Sequence, residues 1–225
     1  MGGTFALVLA AGRGKRMGSS VPKQFLLFEG RPLLYYSLET FQNLNEIDGI
    51  VVAADPQYKK TIDDFGLKKI KAVVPGGEER YSSVRLGLLF LRSFAPDYVL
   101  IHDGARPFPD AELILRTLEG ARKYGAAAAA VPVADTIRVA DENGFGIKTP
   151  DRRTLYAMQT PQTFSFPLIL KAYEELMKHP DLLPVTDDAE VLQKVTGKQT
   201  FLTEGSFRNR KVTTPEDLSI LKSFS

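Results

Sequence analysis

Three features of the sequence predict a doubly wound α/β domain with a mostly parallel, Rossmann-like sheet and a projecting β-hairpin arm. Short apolar runs alternate with longer segments whose apolar residues recur at helical spacing. The first apolar run opens directly into a glycine- and cation-rich loop, the place where such sheets hold their ligands. A chain of 225 residues suits one large α/β core better than two independent ones.

Strands are predicted over residues 5–10, 50–54, 71–74, 98–102 and 126–133, all apolar enough to be buried on both faces. Helices are predicted over residues 32–41, 82–94 and 110–124, with Asp110 as an N-cap. Parallel strands need crossovers, and these helices supply them, so a ligand belongs at the carboxyl ends of the strands. The loops after Ala10, Val74 and His102 are therefore the ones to inspect. Residues 135–156 break the alternation, with extended segments at 136–140 and 145–149 around Asn143-Gly144. A two-stranded ribbon is marginal alone, so pairing with a second copy of the chain is expected of this arm, giving a homodimer. Further helices are predicted over 167–179 and 187–195, the second stopped by Gly197. The last helix starts at Thr214, with Pro215 in its first position and Asp217 completing a capping box. With no repeat or linker, residues 1–225 form one domain with 135–156 as an inserted arm.

Composition narrows the function. Lysine plus arginine number 29 against 27 aspartate plus glutamate, so the overall positive excess of a general nucleic-acid binder is missing. No cysteine occurs, which removes disulfides, thiolate nucleophiles and thiolate metal sites and suits a cytoplasmic protein. Two histidines make a zinc site a poor expectation. The apolar opening at residues 5–11 is too short to span a bilayer, and no membrane association is expected.

The chemical signal begins at Leu9-Ala10-Ala11-Gly12-Arg13-Gly14-Lys15-Arg16-Met17-Gly18. Small residues let backbone amides approach phosphate oxygens, and the cations neutralise charge; a basic surface turn has the same composition. It is not a Walker loop, and Met17 stands where the dinucleotide fingerprint needs its third glycine. Pro22-Lys23-Gln24 adds a cation held by a restricted backbone. Together these pieces resemble the nucleotidyltransferases that activate sugar and alditol phosphates. Gly76-Gly77-Glu78-Glu79-Arg80 with Ser82-Ser83-Val84, and His102-Asp103-Gly104-Ala105-Arg106-Pro107, narrow the resemblance to the 2-C-methyl-D-erythritol 4-phosphate cytidylyltransferase family. Asp135-Thr136, Gln159-Thr160-Pro161-Gln162, Thr186-Asp187-Asp188-Ala189 and Lys211-Val212-Thr213 continue it in order along the chain.

The resemblance implies a nucleotidyltransferase fold and transfer of a cytidylyl group from CTP to methylerythritol phosphate, with magnesium, in non-mevalonate isoprenoid precursor biosynthesis. Both reactants are anionic, so cations and alignment matter more than a general base. By resemblance, Arg16 and Lys23 contact the triphosphate and stabilise the transition state, and Ala10, Ala11 and Gly12 form its cradle. Gly77, Glu78 and Ser83 read the cytosine, while Asp103, beside Gly104, contacts the ribose and the metal. The family usually has alanine at the position of Gly104. Arg152 and Lys211 are assigned the acceptor phosphate, Arg152 from the arm and Lys211 from a late strand. Arg106, Asp135, Thr136, Thr160 and Thr186 complete the acceptor side, although Thr186 also reads as an ordinary helix cap. Two other readings share these residues: a ribitol-5-phosphate cytidylyltransferase and a catalytically silent nucleotide-binding module.

Overall fold

The computed structural model describes residues 2–12 and 21–222. In chain order the elements are β1 (Thr4–Ala10), β2 (Leu27–Phe28), β3 (Arg31–Pro32), α1 (Leu33–Asn43), β4 (Gly49–Ala54), α2 (Lys59–Asp63), β5 (Ile70–Pro75), α3 (Arg80–Leu91) and β6 (Tyr98–Asp103). They continue through α4 (Ala111–Tyr124), β7 (Ala126–Pro132), β8 (Val139–Ala140), β9 (Gly146–Lys148), β10 (Tyr156–Ser165), α5 (Phe166–Leu176), α6 (Asp188–Thr196), β11 (Phe201–Glu204) and α7 (Pro215–Leu221). Seven strands form one sheet in the order β11-β7-β10-β6-β1-β4-β5. Every pairing is parallel except those of β10, which runs antiparallel to both β6 and β7.

Side chains alternate across the sheet with the two-residue period of a strand. Phe5 and Leu7 of β1 enter one core with Val51, Val99 and Ile101, covered by α3, α5 and α6. Ala6, Val8 and Ala10 enter the other with Val52, Leu34, Leu38 and Ile114, covered by α1 and α4. Close helix approach is bought with glycine: a Cβ on Gly87 of α3 would lie 2.3 Å from Leu7 Cδ1, and one on Gly120 of α4 would lie 2.7 Å from Ala127 Cβ. A third, smaller cluster of Phe28, Leu33, Val212 and Leu221 seats α7 and the chain leading to it.

The five predicted strands and the helical segments between them fall where expected, with ends differing by a residue or two. Asp110 caps α4 through Leu113 N at 2.7 Å, Gly197 ends α6 at φ 70°, and the Thr214/Asp217 capping box forms. The structure also departs from the expectation in several places. β10 carries no apolar alternation in sequence, yet it is a central strand whose buried Gln162 and Thr163 find polar partners inside. The β11 edge strand and the short α2 were also not predicted. Lys211 does not lie on a strand; it sits in the irregular segment between β11 and α7. The arm is a hairpin shorter than expected, pairing Val139 with Lys148 and Ala140 with Gly146. Residues 134–149 are all exposed, including Phe145 and Ile147 at 71% and 65%.

Candidate active site

The loops after β1, β5 and β6 converge as the topology requires. A cavity at the carboxyl edge of the sheet is lined by Ala11, Gly12, Lys23, Gly77, Glu78 and Ser83, together with Arg80, Asp103, Ala105 and Lys211. Gln24 builds its floor. This buried side chain donates from Nε2 to Ala10 O and to Gly12 O, so the end of β1 is pinned and Lys23 is set beside it. Gly76 touches the same loop, because a Cβ there would fall 2.0 Å from Ala11 Cβ. The Ser83 hydroxyl accepts from Gly77 N at 3.0 Å, which shapes the turn ahead of α3. Ser83 thus orders the loop expected to read the base. Arg16 lies outside the described residues.

A second cavity adjoins the first and shares Arg80, Asp103 and Lys211 with it. Its other walls include Arg106, Thr160, Gln162, Thr186 and Asp187. The shared residues form a chain of alternating charge. Arg80 Nε donates to Asp103 Oδ1 at 3.1 Å, and Lys211 Nζ donates to Asp103 Oδ2 at 2.7 Å. Behind Arg80, its two terminal nitrogens fork onto Asp188, at 3.0 Å to Oδ1 and 2.7 Å to Oδ2. Burial alone would raise the Asp103 pKa, but Arg80 and then Lys211 outweigh it and hold the carboxyl well below the usual carboxylate range. Asp103 is therefore ionised at neutral pH.

The backbone of Asp103 is fixed as firmly as its side chain. Its N–H donates to Thr160 Oγ1 at 3.0 Å, and that hydroxyl lies 3.1 Å from His102 Nδ1. His102 Nε2 is 3.0 Å from Arg106 O, which can only accept, so the ring is the Nε2–H tautomer and Thr160 donates to Nδ1. Burial pushes the His102 pKa down to about 4, which keeps the ring neutral. Gly104 N donates to Leu9 O at 2.9 Å, and a Cβ on Gly104 would meet Leu34 Cδ1 at 2.8 Å; an alanine here would displace Leu34. Lys211 is placed by three ties: Val212 N to Ala105 O, Asn209 Nδ2 to Thr160 O, and Asp217 to the backbone of Thr213 and Thr214.

Several expected acceptor residues have other duties. Arg106 donates to Asn209 O at 2.8 Å and to Met158 O at 3.3 Å, so it braces the cavity wall rather than offering a free fork. Thr160 spends its hydroxyl on His102 and Asp103. Thr186 lines the second cavity and donates from both N and Oγ1 to Glu190 Oε2, while the cap of α6 itself is Asp187, which accepts from Glu190 N. Asp135, Thr136 and Arg152 are exposed and line neither cavity; Arg152 Nη1 donates to Ala134 O at the base of the arm. Conversely, Arg80, Gln24 and Asp188 were quoted only as parts of motifs and given no role. Arg80 and Asp188 are partners 108 residues apart, and Gln24 reaches back 14 and 12 residues to Ala10 and Gly12.

The sequence profile of the 2-C-methyl-D-erythritol 4-phosphate cytidylyltransferase family matches residues 4–224. The chain belongs to that family. Among its relatives, the 2-C-methyl-D-erythritol 4-phosphate cytidylyltransferase of Clostridium botulinum (strain 657 / Type Ba4) is 44% identical over 216 residues, covering 94% of this chain and 93% of the relative. That of Desulforamulus reducens is 40% identical over the whole of this chain and 96% of its own. The crystal structure of 4-diphosphocytidyl-2C-methyl-D-erythritol synthase from Anaerococcus prevotii superposes with a TM-score of 0.86 at 30% identity, covering 99% of this chain and 97% of that one. The Francisella tularensis cytidylyltransferase superposes at 0.84 with 26% identity. Membership of the cytidylyltransferase family agrees with a site that sets Arg80 and Lys211 on either side of the Asp103 carboxylate. Among the described residues no cluster of three or more histidine, cysteine or acidic side chains could hold a metal on its own, and no helix is long and apolar enough to cross a membrane.

Proposed function

We infer that the protein transfers the cytidylyl group of CTP to 2-C-methyl-D-erythritol 4-phosphate, forming 4-diphosphocytidyl-2-C-methyl-D-erythritol and pyrophosphate, a step of non-mevalonate isoprenoid precursor synthesis. One observation carries this reading: two adjoining cavities meet at Arg80, Asp103 and Lys211, a geometry for bringing two phosphate compounds to one point. CTP occupies the first cavity, its phosphates along Ala11, Gly12 and Lys23 at the end of β1, and its base against Gly77, Glu78 and Ser83. The acceptor occupies the second.

The reaction joins an oxygen of the acceptor phosphate to the α-phosphorus of CTP. The bond from that phosphorus to the β-phosphate oxygen breaks, and pyrophosphate leaves with the electron pair. No proton need be abstracted, since the nucleophile is already ionised near neutral pH, which suits a site whose only histidine is buried and neutral. The barrier lies in repulsion and alignment. Lys23 and Lys211 lower it by facing the two phosphates, while Arg80 keeps Asp103 aimed between them. Magnesium fits here as a hard cation needing one or two carboxylates plus substrate phosphates, with Asp103 as the protein ligand. When bound, it supplies neutralisation of the charge that grows on the α-phosphate.

The second copy of the chain enters through the arm. A hairpin exposed along its whole length, bearing Ile137, Val139, Phe145 and Ile147, gains stability by packing on a partner. Arg152 at its base then reaches the partner's acceptor cavity, where its fork suits a phosphate. The protein works in the cytoplasm. A panel of four ribonucleoside triphosphates against methylerythritol phosphate and ribitol 5-phosphate, read as pyrophosphate release, tests the reading. Release is expected with CTP and methylerythritol phosphate; preference for ribitol phosphate would move the protein to the related polyol activity, and silence with every pair would leave a binding module.

A further inference from the structure

Asp188 lines neither cavity, is fully buried, and is nevertheless bonded into the site. It opens α6, whose start is clamped to β10 by Gln162: Oε1 accepts from Asp188 N and Ala189 N, both at 3.0 Å, and Nε2 donates to Asp187 Oδ2 at 2.9 Å. Its carboxylate takes the two terminal nitrogens of Arg80 and also accepts from the Tyr173 hydroxyl at 2.6 Å. Tyr173, from α5, is 1% exposed and lines neither cavity.

A guanidinium is a rigid plane with donors on fixed edges. Forking its two terminal nitrogens onto Asp188 fixes the guanidinium plane and with it the direction of Nε–H, and that donor holds Asp103 Oδ1. Without the fork, Arg80 would turn its paired edge onto Asp103, the strongest geometry available to it, and occupy the carboxylate from which the nucleotide and acceptor sides are both organised. The charge that balances Arg80 from behind would go as well, leaving Asp103 and the substrates' phosphates to compete for its guanidinium. We propose that Asp188, braced by Tyr173 and Gln162, is a positioning residue for the transfer, acting through Arg80 to keep Asp103 correctly aimed and available.

The inference rests on the cytidylyl-transfer reading above, and the test separates the two. Asp188→Asn, Tyr173→Phe, Arg80→Lys and the double variant Asp188→Asn/Arg80→Lys are compared with the parent by steady-state kinetics, thermal unfolding and the ¹H–¹⁵N signal of Arg80 Nε–H. Because Asp188 is buried and lines neither cavity, Asp188→Asn is expected to lower kcat by roughly tenfold or more with KM for CTP and acceptor within about twofold. Tyr173→Phe, which removes one hydroxyl and leaves the ion pair, should show the same split at about threefold. The double variant should be no worse than the poorer single one, as expected of residues acting in series. The Nε–H signal should shift in both Tyr173→Phe and Asp188→Asn. Normal kcat in folded variants, a rise in KM with kcat intact, additive losses, or an unmoved Nε–H signal would overturn the proposal. If Asp188→Asn does not fold, Tyr173→Phe decides: lower stability with unchanged kcat makes the brace merely structural. A parent that releases no pyrophosphate would sink the transfer reading, while the Nε–H signal would still report whether the fork sets Arg80.

Discussion

Asp103 meets a cation on each oxygen, Arg80 on Oδ1 and Lys211 on Oδ2, and the two differ in what stands behind them. Arg80 is locked by Asp188, whereas Lys211 is a point charge on a flexible stem, 37% exposed, and is free to exchange Asp103 for an arriving phosphate. Substitution Lys211→Met keeps the stem and removes the charge, and kcat/KM with both substrates should fall by ~10²–10³. Steady-state pyrophosphate release measures it; a loss below tenfold would place Lys211 outside the transfer. At this scale the sequence was informative where a residue acts alone and silent where it acts through a distant one. Lys23, Asp103 and Lys211 could be singled out from their motifs. Arg80 could not, because its partner Asp188 lies on another helix, and the tie of the Thr160 hydroxyl to His102 and Asp103 across the sheet was equally hidden.

At the scale of elements, the site depends on loops held against one another. The turn after β5 lies against the end of β1, since Gly76 has no room for a Cβ beside Ala11. Gly76→Ala should therefore push the two apart and raise KM for CTP at least severalfold, with a lowered melting temperature; an unchanged KM would show that the contact does not shape the nucleotide cavity. The segment carrying Lys211 is tied down by Asp217, which accepts from Thr213 N at 2.8 Å, Thr214 N at 3.0 Å and Arg210 Nε at 2.8 Å. Burial alone would raise the Asp217 pKa, but these donors outweigh it and hold the carboxyl below the usual range. With the folded-state pKa the lower one, its stabilisation is present above the unfolded value near ~3.9 and is lost as pH falls below that. Asp217→Asn should cost about 1–2 kcal/mol at pH 7, and in urea titrations the gap from the parent should narrow progressively as pH falls below ~3.9, toward the lower folded-state pKa. A gap independent of pH would assign the loss to packing instead. The helical caps at Asp110, Gly197 and Thr214 were legible because capping is local chemistry. β10 was not, because its buried glutamine and threonine replace the apolar alternation by which a strand is recognised, and their partners are contributed by other elements.

At the scale of the whole molecule, the parallel sheet and its sites were legible because the crossover rule sends every β-to-α loop to one edge, so three loops named from the sequence meet in one cavity. The acceptor side was less so, since it is assembled from β10 and the segment after β11, where the register between Met158 and Gln162 is interrupted. One chain also leaves Arg152, Asp135 and Thr136 outside both cavities. The dimer proposed through the arm would supply the missing partner, and sedimentation should show a dimer that falls to monomer when residues 137–147 are replaced by a short glycine linker. Mixed dimers of Arg152→Ala and Lys23→Ala chains should regain part of the activity that each homodimer lacks; no recovery would keep Arg152 within its own chain.

The most direct measurement is a ³¹P NMR time course of the parent enzyme with equimolar CTP and methylerythritol phosphate in the presence of magnesium. Two mutually coupled resonances of a new diphosphate diester should grow in step with free pyrophosphate while both starting phosphates decline together. Decay of CTP to CMP or CDP with the acceptor signal unchanged, or no change in either, would contradict a site that joins the two compounds at Arg80, Asp103 and Lys211.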